Sequence, residues 1–114
     1  MSKIIVFGTG KYGKEAYDFF GDDNVLCFAD NNAALTGKYL YEKEIILPSD
    51  IQSHYKEYLI ILAAREELCI EMEYQLMKMG IENSLNFIFI RDYILSGRID
   101  FNEFIDRYLD DAYI

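Results

Sequence analysis

Lys3-Ile4-Ile5-Val6-Phe7-Gly8-Thr9-Gly10-Lys11-Tyr12-Gly13 joins an apolar run to a turn carrying three glycines in G-x-G-x-x-G spacing. Read as a strand feeding a helix, the spacing gives each glycine a job: a tight turn, close approach of backbone to a ligand, and close packing of helix on strand. A bulky side chain at Gly10 would stand where a diphosphate sits. Glycines end strands for many reasons, so the context has to agree, and three features do. A β-rich run precedes the turn, a helical pattern follows it, and Asp30 comes 17 positions after Gly13 at the end of the next apolar run.

That next run, Val25-Leu26-Cys27-Phe28-Ala29, is nearly continuous in apolar residues, as expected of a strand buried on both faces. Between the two runs, Tyr12, Ala16, Phe19 and Phe20 fall at the i, i+4, i+7, i+8 positions of an amphipathic helix. Gly21-Asp22-Asp23-Asn24 then turns the chain and closes a βαβ unit. Asp30 is placed to accept hydrogen bonds from a ribose hydroxyl, and Asn31 and Asn32 follow it with no arginine to receive a 2′-phosphate.

Further along, Glu44-Ile45-Ile46-Leu47, ended by Pro48, reads as a short third strand at a sheet edge. Ser49 and Gln52 have capping-box spacing, so a short helix is expected over residues 49–55. Tyr58-Leu59-Ile60-Ile61-Leu62-Ala63-Ala64 is the strongest strand and belongs at the centre of the sheet. Residues 66–79 carry Leu68, Met72, Leu76 and Met79 on one helical face, with acids early and Lys78 late, and Gly80 as the stop. Residues 86–90 read as a fifth strand and residues 100–109 as a last helix, with Phe101, Phe104, Ile105, Tyr108 and Leu109 at helical spacing and a D-x-x-E start at Asp100 and Glu103. Strands alternating with helices imply right-handed crossovers. The expected fold is therefore α/β: a Rossmann-like three-layer αβα domain over residues 1–114, with a parallel sheet in strand order 3-2-1-4-5.

In such a sheet a ligand lies beyond the carboxyl ends of the strands, where the order reverses. The expected binding set is Gly8, Thr9, Gly10, Lys11, Tyr12 and Gly13 on one side of a cleft, Asp30, Asn31 and Asn32 beside them, and Ala63, Ala64 and Arg65 opposite. Lys11 and Lys14 stand where a helix N-terminus already favours anions, so they are candidate phosphate partners; ordinary solvated lysines have the same spacing, and both readings stay open. Arg65 has the same two readings.

The chain has 114 residues, 52% hydrophobic and 27% charged, which suits one folded domain. Its formal net charge of −9 and pI near 4.4 repel polyanions, so neither nucleic acid nor an anionic membrane is an expected partner. The opening Met1-Ser2-Lys3 has no basic region followed by a long apolar run, and no stretch approaches the roughly 20 apolar residues of a membrane helix. A soluble, cytoplasmic protein is expected. Cys27 and Cys69 are too few for a metal site and read as buried free thiols, and no metal is expected. His54, the only histidine, has no serine or cysteine placed to make it a recognisable base. Tyr39 with Lys43 and Tyr74 with Lys78 have Tyr-x-x-x-Lys spacing, but ten tyrosines make chance matches ordinary, and both pairs read as structural. No catalytic residue is assigned. The acids of Asp110-Asp111-Ala112-Tyr113-Ile114 oppose a helix dipole, so either the last helix stops before them or this tail contacts something else.

The motifs Ile4-Ile5-Val6-Phe7-Gly8-Thr9-Gly10, Phe28-Ala29-Asp30-Asn31-Asn32, Gly37, Ile46-Leu47-Pro48, residues 58–64, and Gln75-Leu76 followed by Gly80-Ile81 together resemble a known pattern. It is that of the Rossmann-like nucleotide-sugar-binding domain of bacterial surface-polysaccharide enzymes, found at the N-terminus of left-handed β-helix sugar acetyltransferases and beside sugar methyltransferase domains. The resemblance covers about residues 3–90. It implies a non-catalytic module that binds a nucleotide or nucleotide-linked sugar, a UDP-sugar being favoured, with the chemistry carried by a separate catalytic domain or subunit. Two alternatives stand beside it: a minimal NAD-dependent oxidoreductase or NAD-binding regulator, and an interaction domain that has lost its ligand. For the last, the aromatic residues of the final helix either cover the sheet or pair with a second copy.

Overall fold

The computed structural model of the protein describes residues 4–55 and 57–109, with side chains through residue 107. It is a mixed α/β fold built on a six-stranded, mostly parallel sheet. In chain order the elements are β1 (Ile4–Phe7), α1 (Lys11–Phe20), β2 (Val25–Ala29), β3 (Tyr39–Leu40), β4 (Lys43–Ile46), α2 (Pro48–Asp50), β5 (Leu59–Leu62), α3 (Glu66–Lys78), β6 (Ser84–Asn86), α4 (Phe87–Leu95) and α5 (Phe101–Leu109). The strands lie in the order β3-β4-β2-β1-β5-β6, and β3 alone runs antiparallel to its neighbour.

The central strands are apolar on both faces because both faces are covered. Ile4 and Val6 of β1 join Phe28, Ile61 and Ala63 in one core, which takes in Phe20 of α1, Phe87 and Ile94 of α4 and Phe104 of α5. Ile5 and Phe7 point the other way, into a second core with Cys27, Ala29, Ile60, Leu62 and, from α3, Cys69 and Leu76. Between Ile4↔Val25 and Ile5↔Cys27 the register slips by one residue at Leu26. Val25 and Phe28 can therefore share a face. The aromatic contacts Phe20–Phe104, with centroids 5.7 Å apart, and Phe19–Phe101, also at 5.7 Å, tie α5 to α1. Phe101, Phe104 and Ile105 thus pack on the core, and Asp100 caps α5 by accepting from the Glu103 amide at 2.7 Å. The side chains of Tyr108 and Leu109 and the acidic tail 110–114 lie outside the described residues.

Several expectations need correction. The fifth strand expected over residues 86–90 is instead β6 at Ser84–Asn86 followed at once by α4. The Asn86 side chain accepts from the Phe89 amide at 3.2 Å, so an N-cap turns an apolar run that reads equally well as strand into helix. Ser49 and Gln52 form no capping box: the Gln52 amide donates to the Met79 carbonyl at 3.1 Å and Ser53 donates to Ser49. Pro48 begins α2 as its first residue, with Asp50 accepting from the Leu47 amide at 3.2 Å, and Ile51–Tyr55 continues as a wider π turn.

The sheet edge also differs, since β3 and β4 form a hairpin that composition does not announce. Its turn residues Tyr41 and Glu42 both have positive φ, 52° and 65°, where glycine or asparagine is usual. The Tyr41 ring stacks on Tyr17 at 4.5 Å, and Lys43 reaches the Asp22 carboxylate at 3.4 Å. These contacts hold the turn. The Tyr17 hydroxyl donates to the same carboxylate, and that bond pushes its pKa up to about 12 and holds Asp22 below the usual carboxylate range. Left-handed backbone costs a non-glycine residue about 1–2 kcal/mol, and added chain entropy in the unfolded state returns roughly half of that to the native residue. Glu42→Gly is therefore expected to stabilise the protein by about 0.5–1 kcal/mol in urea denaturation; a lower midpoint would contradict the turn.

Candidate functional site

The loop after β1 is shaped by what its glycines exclude. Gly8 has φ +123°, and a Cβ there would lie 2.4 Å from the Ala63 carbonyl oxygen at the end of β5. Its amide donates to the Ala29 carbonyl at 2.8 Å, while Ala63 N–H donates to Phe7 at 2.9 Å, so the ends of β1, β2 and β5 are stitched together below the loop. Gly13, in the first turn of α1, would bring a Cβ within 2.1 Å of the Gly8 carbonyl oxygen. It lets the helix settle on the turn. Gly10, the N-cap of α1, has φ −84° and open space within 4 Å of a would-be Cβ. No side chain caps this helix, and its first amides are left without intrahelical partners.

At the carboxyl ends of β1, β2 and β5 lies a cavity of about 460 Å³. Gly8, Thr9, Gly10, Lys11 and Tyr12 form one wall, Asp30 and Asn31 the second, and Ala63, Ala64 and Arg65 the third; Phe7, Leu68 and Met72 complete it. Ten of the twelve expected residues therefore meet around one space. Gly13 and Asn32 do not. Gly13 lies beneath the Gly8 backbone, and Asn32 caps the following 3-10 turn, its side chain accepting from the Ala34 amide at 3.1 Å.

Asp30 is held in a fixed pose. The Thr9 hydroxyl donates to its Oδ2 at 2.7 Å, the Asn32 amide donates to its Oδ1 at 2.8 Å, and its own amide donates to Ile46 at 3.1 Å. A carboxylate offers about four lone-pair positions, so each oxygen keeps one for a further donor. Such an arrangement can receive a pair of neighbouring hydroxyls. Three cations are near: Lys11 on the loop wall, with its ammonium 5.9 Å from the centroid of the Tyr12 ring; Lys14 one turn up α1 and off the cavity; and Arg65 opposite. Arg65 and Glu67 sit 3.5 Å apart with side chains 70% and 78% exposed, a pair too solvated to hold the guanidinium in place.

The apolar wall from α3 is the part that sequence reasoning leaves out of the site. Leu68, Met72, Leu76 and Met79 are expected on one helical face, and of these Leu76 is buried while Leu68 is 39% exposed and lines the cavity with Met72. A helical stripe does not say where core ends and cavity begins. Cys69, between them, is buried and donates to the Ala64 carbonyl at 3.2 Å, which fixes the end of β5. Burial pushes both thiols up, Cys27 to about 12, which favours their protonated form. His54 is exposed and away from the cavity. Tyr39 and Lys43 lie on paired strands, and Tyr74 and Lys78 make a cation–π contact at 4.6 Å on α3. Among the described residues no group of three His, Cys, Asp or Glu side chains could hold a metal ion, and no helix is long and apolar enough to cross a membrane.

Fold and cavity define an α/β protein with a glycine-rich loop at the head of a mostly parallel sheet. Residues 1–86 match the family described as C2185-like, N-terminal, and the chain belongs to that family. Among solved structures it is similar to RSP, a Rex-family repressor, with a TM-score of 0.57 and 15% identity over 86% of this chain. The chain spans 60% of the length of that repressor, and likeness at this identity concerns the fold. Comparison with curated proteins gives no match.

Proposed function

We propose that the chain is a binding module for a nucleotide or nucleotide-linked sugar, built as a Rossmann-like three-layer αβα domain. In this reading the parallel strands, numbered along the chain without the β3 hairpin arm, follow the order 3-2-1-4-5, and the ligand lies where the order reverses. The observation that carries it is the cavity joining an uncapped helix N-terminus to a carboxylate held by Thr9. Phosphates suit the first, because backbone N–H groups and the helix dipole favour an anion there. A ribose suits the second. The apolar wall of Leu68 and Met72 suits the flat face of a base, and the volume falls within the range of small-molecule sites.

A UDP-sugar is the ligand that the resemblance favours, with a separate domain or subunit carrying the chemistry. NAD is the second reading, favoured by Asp30 with Asn31 and Asn32 after it and no arginine for a 2′-phosphate. Calorimetric titration with UDP-sugars, UDP, NAD and coenzyme A separates them. Heat with UDP compounds and none with NAD supports the first, and no heat with any ligand leaves only the interaction-domain reading. Asp30→Ala is expected to weaken the bound nucleotide by about 1–3 kcal/mol, the range for hydrogen bonds to a charged group, while sparing inorganic pyrophosphate. Equal losses for both would place the acid's effect on the loop rather than on a ribose.

A further inference from the structure

Across one edge of the cavity mouth, the loop after β2 is joined to α3 by two side chains 44 positions apart. Asn31 Nδ2 donates to Gln75 Oε1 at 3.0 Å, and Gln75 Nε2 donates to Asn31 Oδ1 at 2.9 Å. Asn31 lines the cavity directly after Asp30; Gln75 does not line it. The other hydrogen bonds of this loop are local, as from the Asn32 amide to Asp30 and from the Ala34 amide to Asn32, or tie its ends to the sheet, as from Thr9 to Asp30 and from the Gly37 amide to Ile45, and none of these reaches α3. A reciprocal amide pair fixes both partners at once, because each supplies the donor the other's carbonyl needs. Beyond the pair each amide keeps one N–H and one lone pair.

We propose that Gln75 is a positioning residue for the nucleoside part of the ligand: it clamps Asn31 against α3, so that the spare Asn31 N–H and lone pair meet the nucleoside next to the hydroxyls held by Asp30. The inference rests on the nucleotide reading of the site and adds to it a specificity element. A free pyrophosphate on the glycine loop reaches no part of this clamp. A ligand with a nucleoside does, and its affinity depends on a side chain it does not touch.

Gln75→Ala, Asn31→Ala and the double variant test this by calorimetry with UDP, NAD and inorganic pyrophosphate. Gln75 lies partly exposed on a helix where alanine is well accommodated, so the single variant folds. For whichever nucleotide the parent binds, Gln75→Ala is expected to weaken binding about fivefold and Asn31→Ala about tenfold, the effect of one modest hydrogen bond. The double variant should be no weaker than Asn31→Ala, since the two side chains act through one another. Pyrophosphate binding should stay within about twofold of the parent. Nucleotide affinity unchanged in Gln75→Ala, additive losses in the double variant, or an equal loss of pyrophosphate each overturns the proposal. Hydrogen exchange keeps its failure distinct from that of the site. Amides of residues 31–36 should exchange faster in Gln75→Ala; parental rates in a protein that binds nucleotide overturn the clamp alone, and a parent that binds neither UDP nor NAD overturns the nucleotide reading and this role together.

Discussion

Gly13→Ala is expected to destabilise the protein by roughly 3 kcal/mol, lowering its melting temperature by more than about 10 °C. Helix propensity alone points the other way, because alanine inside a helix is favoured over glycine by about 1 kcal/mol. Sterics decide. A Cβ at position 13 would lie 2.1 Å from the Gly8 carbonyl oxygen and 2.8 Å from its carbonyl carbon, and both are backbone atoms that no rotamer change can move. Gly8 cannot retreat, since its own Cα faces the Ala63 carbonyl and its amide is bonded to Ala29 at 2.8 Å. The start of α1 would have to lift by more than an ångström, loosening Ala16 and Phe20 from the core below. Gly10→Ala is the control, with nothing within 4 Å of its Cβ and an ordinary negative φ. If Gly13→Ala and Gly10→Ala melt together within a few degrees of the parent, the close seating of helix on loop is wrong.

The same residues show why some of the fold is legible in sequence and some is not. The glycine loop is legible because each glycine answers a local steric demand and the three demands have a fixed spacing. Val25–Ala29 is legible to its limits, and Leu59–Leu62 is legible inside the longer apolar run 58–64, because strands buried on both faces leave no polar position within them. The β3–β4 hairpin is hidden, since its turn uses Tyr41 and Glu42 at positive φ and depends on Tyr17 and Asp22 from elsewhere in the chain. Phe87–Leu95 carries an apolar run that fits strand or helix, and the Asn86 cap together with the packing of Phe87 and Ile94 on the core goes with the helix. In the site, Asp30 can be found by its distance from the glycines, and the end of β5 by the sheet order that an alternating pattern implies. Leu68, Met72 and Gln75 cannot be found so, because which side of α3 faces core and which faces cavity is set by how the helix lies on the sheet. No signal in the sequence encodes the Asn31–Gln75 pair.

Gly10→Val is expected to fold like the parent and to lose nucleotide binding by about 100-fold or more, close to 3 kcal/mol. The two halves of this expectation come from the same observation. No heavy atom lies within 4 Å of a Cβ built at position 10, and φ there is an ordinary negative value, so a valine side chain starts from open space and leaves the buried core undisturbed. Gly10 also lines the cavity beside the first turn of α1, where in the nucleotide reading the uncapped amides would meet a diphosphate. Filling it with two methyl groups denies the phosphates their approach without touching Asp30, Thr9 or the apolar wall. Inorganic pyrophosphate should therefore be lost along with the nucleotide, the reverse of the pattern expected for Asp30→Ala, which spares it. The two variants together locate the two ends of the ligand. A Gly10→Val protein that melts normally and still binds both ligands at parental affinity would mean that the phosphates do not rest on this helix, and the site would have to be sought elsewhere on the molecule.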